Sequence, residues 1–343
     1  MSLNRRRVLS AVTAAAGAGV LAGCAGDGSA TGSESDATTA RASFFVFGDV
    51  AGQVAGSAAE SALLVPVGQH GHGWEPGPRV REQIRDADLF VHGMAGFQPW
   101  VDDIRTDLEA DGSGVTTVDA SADVDLLEAG TDHDHSDDEE HADDHHDDGE
   151  DDHHDGGEDE HDQHGAGMDP HFWTDPLRVK RAVDTVRRGF ADVDPDNADA
   201  YAENAAAFRS DLDDLHARIE TTVSDASKDT ILVAGHDSFQ YFGDRYGVTV
   251  ESLTNVSPDD RPTPRDIERA QSVIQTHDLE YICADPLESQ QAADQLVAET
   301  DATAVLPLTA MPGLTDEWEK KEWGYLAVME NVNLPTLERT LDA

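Results

Sequence analysis

Between Asp132 and His164 the chain runs for 33 residues with 18 Asp or Glu, nine His and no apolar side chain larger than alanine. Such a stretch has nothing to bury and cannot offset the entropy of ordering its backbone, so it is expected to be a disordered loop. The foldable sequence is thereby split in two, and any core has to be assembled across the gap. The run also divides the charge. The chain has 343 residues, 71 acidic and 23 basic, for a formal charge of −48; setting aside the loop's 18 negatives leaves −30. That remainder is spread along the chain, which contains only four Lys. It resembles the surface of proteins adapted to very high salt, where the Debye length shrinks to about 3 Å and self-repulsion is screened. Coulomb repulsion of the same sign argues against nucleic acid and against an anionic membrane surface as direct partners.

The N-terminus reads as an address. Arg5-Arg6-Arg7 precede an uncharged, Ala-rich stretch from Val8 to Ala22, followed by Leu21-Ala22-Gly23-Cys24. A basic end, a short apolar run and a small-residue cleavage site describe an export signal over residues 1–23. The apolar run falls short of the roughly 20 residues that span a bilayer. Asn4-Arg5-Arg6-Arg7-Val8-Leu9 resembles a twin-arginine signal, which implies export of a folded chain. Leu-Ala-Gly-Cys resembles a lipobox, which makes Cys24 the lipid-modified residue and the membrane anchor. With Cys24 so used, Cys283 is left alone and no internal disulfide forms. Residues 24–42 are rich in Gly, Ser, Thr and Ala and read as a flexible tether.

The rest alternates between strand and helix. Strands are expected at Phe44–Phe47, Ala62–Val65, Asp88–His92 and Gly114–Val118, with helices over residues 50–60 and 80–86. After the acidic loop, Thr230–Ala234, Val248–Val250, Tyr281–Ala284 and Ala304–Leu306 repeat the pattern around helices at 264–275 and 289–300. Such alternation favours parallel sheets covered by helices. Between the halves, Asp194-Pro195 opens a helix as N-cap and first-turn proline. Tyr201, Ala205, Phe208, Leu212, Leu215 and Ile219 then form one apolar stripe at helical spacing. The expected organisation is an N-terminal α/β lobe over residues 43–194 including the loop 131–167, a linking helix over 195–226, and a C-terminal α/β lobe over 227–343.

Three short motifs carry the chemistry. Gly68-Gln69-His70-Gly71-His72-Gly73-Trp74-Glu75-Pro76 follows the second strand, and Asp169-Pro170-His171-Phe172-Trp173-Thr174-Asp175-Pro176 follows the loop. Gly235-His236-Asp237-Ser238-Phe239-Gln240-Tyr241-Phe242 follows the first strand of the second half, with Arg245-Tyr246-Gly247 just beyond. Each sets a His at the C-terminal end of a strand or the start of a helix, the edge at which open α/β sheets bind ligands. Singly, each is an ordinary loop histidine; together, imidazoles from facing loops can converge on one cation.

These motifs, in this order, resemble the zinc- and manganese-binding solute-binding lipoproteins of ABC importers, from about residue 43 to the C-terminus. The second and third motifs match nearly residue for residue. The first departs, with His70-Gly71 where the family has Asp-Pro and Trp74 in place of Tyr. The resemblance implies an α/β fold of two lobes, each with a mainly parallel sheet flanked by helices, joined by one long backbone helix, with the metal in the cleft between them. It implies His72, His171 and His236 as ligands. The Asp that many members place near the C-terminus is missing from Val305-Leu306-Pro307-Leu308-Thr309. Water is the first choice for the fourth position, with Asp316, Glu317, His70 and Glu75 as further candidates. Asp285 stands where relatives often have Glu-Pro and is read as structural or as supporting the ligands. Three imidazoles and at most one oxygen favour Zn2+ over Mn2+.

The implied function is an extracytoplasmic, monomeric zinc receptor, anchored at the outer face of the membrane, that hands its ion to an ABC permease and its ATPase, without enzymatic activity. Two alternatives stand beside it. A zinc-dependent hydrolase would use three His and an open water position, but the chain has no His-Glu-x-x-His motif and only Glu75 as a general base. A surface metal buffer would act mainly through the loop, whose His133, His135, His141, His145, His146, His153, His154, His161 and His164 sit among carboxylates and suit auxiliary capture of divalent metal.

Overall fold

The computed structural model describes residues 37–130, 167–257 and 260–343. The export signal with Cys24 and the loop histidines therefore lie outside the described residues. The described elements begin with β1 (Thr39–Ala42), α1 (Phe45–Ala55), β2 (Glu60–Leu63), α2 (Pro78–Arg85), β3 (Leu89–His92), α3 (Pro99–Asp111) and β4 (Thr116–Asp119). Two long helices follow, α4 (Pro176–Val193) and α5 (Ala198–Asp225). The second half runs β5 (Thr230–His236), α6 (Gln240–Tyr246), β6 (Thr249–Thr254), α7 (Pro264–His277), β7 (Tyr281–Ala284), α8 (Gln291–Glu299), β8 (Ala304–Pro307), α9 (Asp316–Lys320), α10 (Tyr325–Val328) and α11 (Leu334–Thr340). Both sheets are wholly parallel, ordered β2-β1-β3-β4 and β6-β5-β7-β8, so the halves repeat one topology. In each, strand order reverses beside the first strand, and the crevice there opens at the C-terminal strand ends.

Each central strand faces two cores at the period-two spacing of a strand. In β3, Leu89 and Val91 join the largest core while Phe90 packs outward with Ile84, Trp100 and Ile104. In β5, Ile231 and Val233 join that same core while Leu232 and Ala234 pack outward with Ala270, Ile274 and Leu296. The largest core is therefore common to both sheets, with α1, α4 and α5 in it. The stripe Tyr201, Ala205, Phe208, Leu212, Leu215 and Ile219 is buried along the whole of α5. A single turn of 3-10 helix, Pro195–Asn197, precedes α5. Asp194 ties this entry together through Oδ2, which accepts from Tyr201 Oη (2.6 Å), Asn197 Nδ2 (2.8 Å) and Thr38 Oγ1 (3.1 Å).

Four expectations need correction. Phe44–Phe47 is not a strand: the chain leaves β1 at Ala42, and Phe45 is the first residue of α1. The run misleads because Phe45, Val46, Phe47, Val50, Ala51, Val54 and Ala55 are all buried, and a helix apolar on most sides loses its 3.6-residue signature. The strand itself, Thr39-Ala40-Arg41-Ala42, falls inside the stretch read as tether; its two alanines are fully buried and its Arg41 donates to the Ala40 carbonyl. β2 ends at Leu63, two residues before the expected strand end. Finally, α4 has no counterpart in the sequence reading, although Val179, Ala182, Val183, Val186 and Phe190 line its buried face and Asp175 caps it, accepting from Leu177 N at 2.9 Å.

Candidate metal centre

The three motifs arrive at one point. His72 follows β2 on the long loop to α2, His171 sits at the turn that leads into α4, and His236 ends β5. One ring nitrogen from each of these residues lies within 4.8 Å of the other two. His236 Nε2 and His171 Nε2 are 3.3 Å apart. Two nitrogens on one tetrahedral zinc, with bonds of about 2.0–2.1 Å, are separated by about 3.3 Å. The rings stand tilted or edge-on, with centroids 5.3 Å apart for His72 and His171, 5.7 Å for His72 and His236, and 5.2 Å for His171 and His236.

The outer nitrogens of two rings are held by carboxylates. Asp169 Oδ1 accepts from His171 Nδ1 at 2.7 Å and from the His171 backbone N–H at 2.9 Å, both residues being buried. Glu288 Oε1 lies 2.9 Å from His236 Nδ1. An imidazole that donates through Nδ1 presents the Nε2 lone pair inward, the tautomer a metal needs. Gly235 permits the second contact, since a Cβ there would stand 2.7 Å from Glu288 Oε2. His72 is held by rings instead, against Phe44 (5.3 Å between centroids) and Phe97 (4.9 Å).

This setting favours the neutral form of His72 and His171. Burial lowers His72 well below the usual histidine value, and the neighbouring His171, His70 and His236 add to the effect. Burial also lowers His171, against the opposing pull of Asp169. For Glu288 burial works upward, but the nearby His236 and His70 prevail and hold the carboxyl down at about 2. Imidazoles backed by carboxylates form a donor set suited to zinc, copper or nickel.

The loops are pinned from both halves. Gly71 N donates to Pro312 O at 2.7 Å and Gly68 N to Leu314 O at 2.7 Å, so the His72 loop is bonded to the segment after β8. Gln98 Nε2 donates to Ser43 O and Gly71 O, and Trp173 Nε1 to Ala310 O at 2.6 Å. Tyr241, from the third motif, donates to Asp169 O at 2.6 Å while accepting from Leu127 N at 2.9 Å. Arg178 and Arg245 both reach the buried Asp175, at 3.0 and 2.8 Å. The second and third motifs thus brace one another, which explains residues in them that touch no ligand position.

A family model described as "ZnuA: Zinc-uptake complex component A periplasmic" matches residues 41–340, a span that holds both sheets and all three motifs. The chain belongs to the ZnuA family. The high-affinity zinc uptake system protein ZnuA of Bacillus subtilis is 30% identical over 280 residues, 81% of this chain and 80% of that one. The zinc-binding lipoprotein AdcA of Streptococcus pneumoniae strain R6 is 30% identical over 290 residues, 84% of this chain but 53% of AdcA, so the chain spans about half of that relative. Among solved structures, the Zn(II)-bound ZnuA-like domain of Streptococcus pneumoniae AdcA superposes with a TM-score of 0.69 at 25% identity, over 90% of this chain and 100% of that one.

Within this ZnuA-family frame, the candidates for a fourth donor separate. Asp316 and Glu317 are exposed on α9, and Glu317 bonds Lys321 Nζ at 2.6 Å. Glu75 is exposed on the loop beyond His72. His70 alone stands beside the cluster, its ring centroid 5.0 Å from His72 and 6.3 Å from His236, with Nε2 3.4 Å from Glu288 Oε1. Asp285 is buried, accepting from Thr309 Oγ1 at 2.5 Å and Leu287 N at 2.8 Å; burial pushes its carboxyl up to about 6 in spite of the Thr309 bond. Glu288 escaped the sequence reading. Its only signal was an acidic residue just after β7, the strand that pairs with β5 and so lies beside His236.

Proposed function

We propose that this chain is the extracytoplasmic receptor of a zinc importer, binding one Zn2+ through His72, His171 and His236 and handing it to an ABC permease powered by a cytoplasmic ATPase. The convergence of three imidazoles, drawn from loops of both halves to within 4.8 Å, carries the reading. Nitrogen donors favour zinc over manganese, which prefers oxygen. The zinc-binding relatives and the Zn(II)-bound ZnuA-like domain of AdcA support the choice of ion. Lipid at Cys24, after export under the residue 1–23 signal, holds the monomeric receptor at the membrane through the stretch that precedes β1. The domain division follows the sheets, with an N-terminal lobe, the linking helix α5 and a C-terminal lobe. We read the chain as a binding protein and not as a hydrolase, since Glu75, the base a hydrolase would use, is not among the residues that converge with His72, His171 and His236.

A His72→Ala/His171→Ala double variant tests the assignment by calorimetric competition at high salt. Loss of tight one-to-one zinc binding is expected; its survival refutes the ligand set. Deleting residues 132–164 separates the receptor from a surface buffer. The receptor keeps one tight site without the loop, whereas a buffer loses most of its binding.

A further inference from the structure

A three-histidine site accounts for Glu288 only as the partner of His236 Nδ1 and leaves His70 without a role. His70 Nε2 is buried and makes no hydrogen bond. Its nearest charged partner is Glu288 Oε1 at 3.4 Å. A charged N–H···O bond closes to about 2.7–2.9 Å, so this gap is long for an ion pair. It matches the separation of about 3.3 Å between two donors on one tetrahedral cation with bonds of about 2.0–2.1 Å. The carboxylate has lone pairs to spare: Oε1 already takes His236 Nδ1 at 2.9 Å, and two oxygens together offer about four acceptor positions.

The surroundings give the pair a direction. A groove of about 800 Å³ in the second half is lined by His70, His236 and Glu288 together with Arg261, Leu287 and Gln291 among others. His72 and His171 do not line it. An ion arriving along the groove therefore meets His70 and Glu288 before it meets the full set of inner nitrogens. We propose that His70 and Glu288 form an outer cation station, which holds a divalent transition-metal ion in the groove before it passes to His72, His171 and His236. The proposal rests on the receptor reading above. His236 serves both sides, with Nδ1 toward Glu288 and Nε2 toward His171, so the transfer spans the width of one imidazole.

Stopped-flow loading of the full chain with Co2+ tests this, because the visible spectrum of Co2+ on three imidazoles differs from that on one imidazole and one carboxylate and so reads arrival at the inner site. In His70→Ala and His70→Gln, the rate constants for loading and for chelator-driven release should fall together, each by about tenfold. A wild-type loading rate in both variants overturns the proposal. So does weaker equilibrium binding at an unchanged loading rate, which would put His70 in the inner site. If the wild-type chain gives no tetrahedral Co2+ spectrum, the receptor reading itself fails. As a direct check, crystals of the zinc-loaded full chain soaked in Co2+ and measured at the cobalt edge should show a peak between His70 Nε2 and Glu288; its absence counts against the station.

Discussion

Asp169 Oδ1 lies 2.7 Å from His171 Nδ1, and neither side chain is open to solvent. The carboxylate has no proton to give, so the imidazole donates and its Nε2 is committed to the interior. Replacing Asp169 by Asn keeps the shape but removes the charge. Asp169→Asn should weaken zinc binding by about 10–100-fold, as read by competition with a chromogenic chelator at fixed salt. Affinity equal to the wild type would mean that the ring is oriented by packing against Trp173 instead.

The neutral histidines make the zinc-free protein acid-sensitive. Burial lowers His72 and His171 in the folded state, while the unfolded chain titrates them near the ordinary 6.5. Below that value the unfolded state binds more protons than the folded one, so stability declines as the pH is lowered. The contribution is complete above about pH 6.5 and is lost as pH drops toward the depressed folded values. Thermal melts of the metal-free chain between pH 7.5 and 5 should show Tm falling with acid. His72→Gln should flatten the fall, and an unchanged slope would refute the link.

Gly71 is required by space. A Cβ there would stand 2.7 Å from the Phe44 ring and 2.8 Å from Pro312 O. Gly71→Ala should cost about 1–3 kcal/mol in denaturant unfolding by overpacking. It should also reduce zinc affinity, because the loop that carries His72 has to move off Pro312. Lost stability at full affinity would separate the packing from the site.

Arg245 reaches Asp175 with Nε and a terminal nitrogen, both at 2.8 Å, and Asp175 is fully buried. Arg245→Met leaves that carboxylate with Arg178 and Leu177 N as partners. A loss of about 1.5–3 kcal/mol in unfolding free energy is expected. The start of α4 should loosen, and hydrogen exchange near His171 reports it.

The sequence was most legible where chemistry and local pattern coincide. His72, His171 and His236 each sit in a short motif at a strand end or helix start, so they could be chosen without knowing how the chain folds. The α5 stripe and β7 were readable for the same reason. Glu288 was not, because its role depends on β5 pairing with β7, Val233 against Cys283 at 50 positions further along the sequence, an adjacency no local pattern records. Phe44–Phe47 misled through excess of apolar character, since a helix packed against β1, α4 and α5 leaves only a narrow polar side at Asp49, Gly52 and Gln53 to mark its period. His70 was legible only as a departure from a motif; its partner on the far half shows what the departure could do.

One core serves both sheets, and this sets how a cargo leaves. A clamshell receptor opens along a thin waist, but here opening would pull Leu89 and Val91 away from a mass that also holds Ile231 and Val233. The load on such an opening is that of unfolding. The His72 loop is fastened to the segment after β8 by far less, the bonds Gly71 N to Pro312 O and Gly68 N to Leu314 O. A transporter that docks over this seam needs only to undo a clasp, and the frame beneath can stay as it is. Scattering curves of zinc-loaded and chelator-stripped protein should then superpose, with the change confined to exchange rates in residues 66–73 and 309–314.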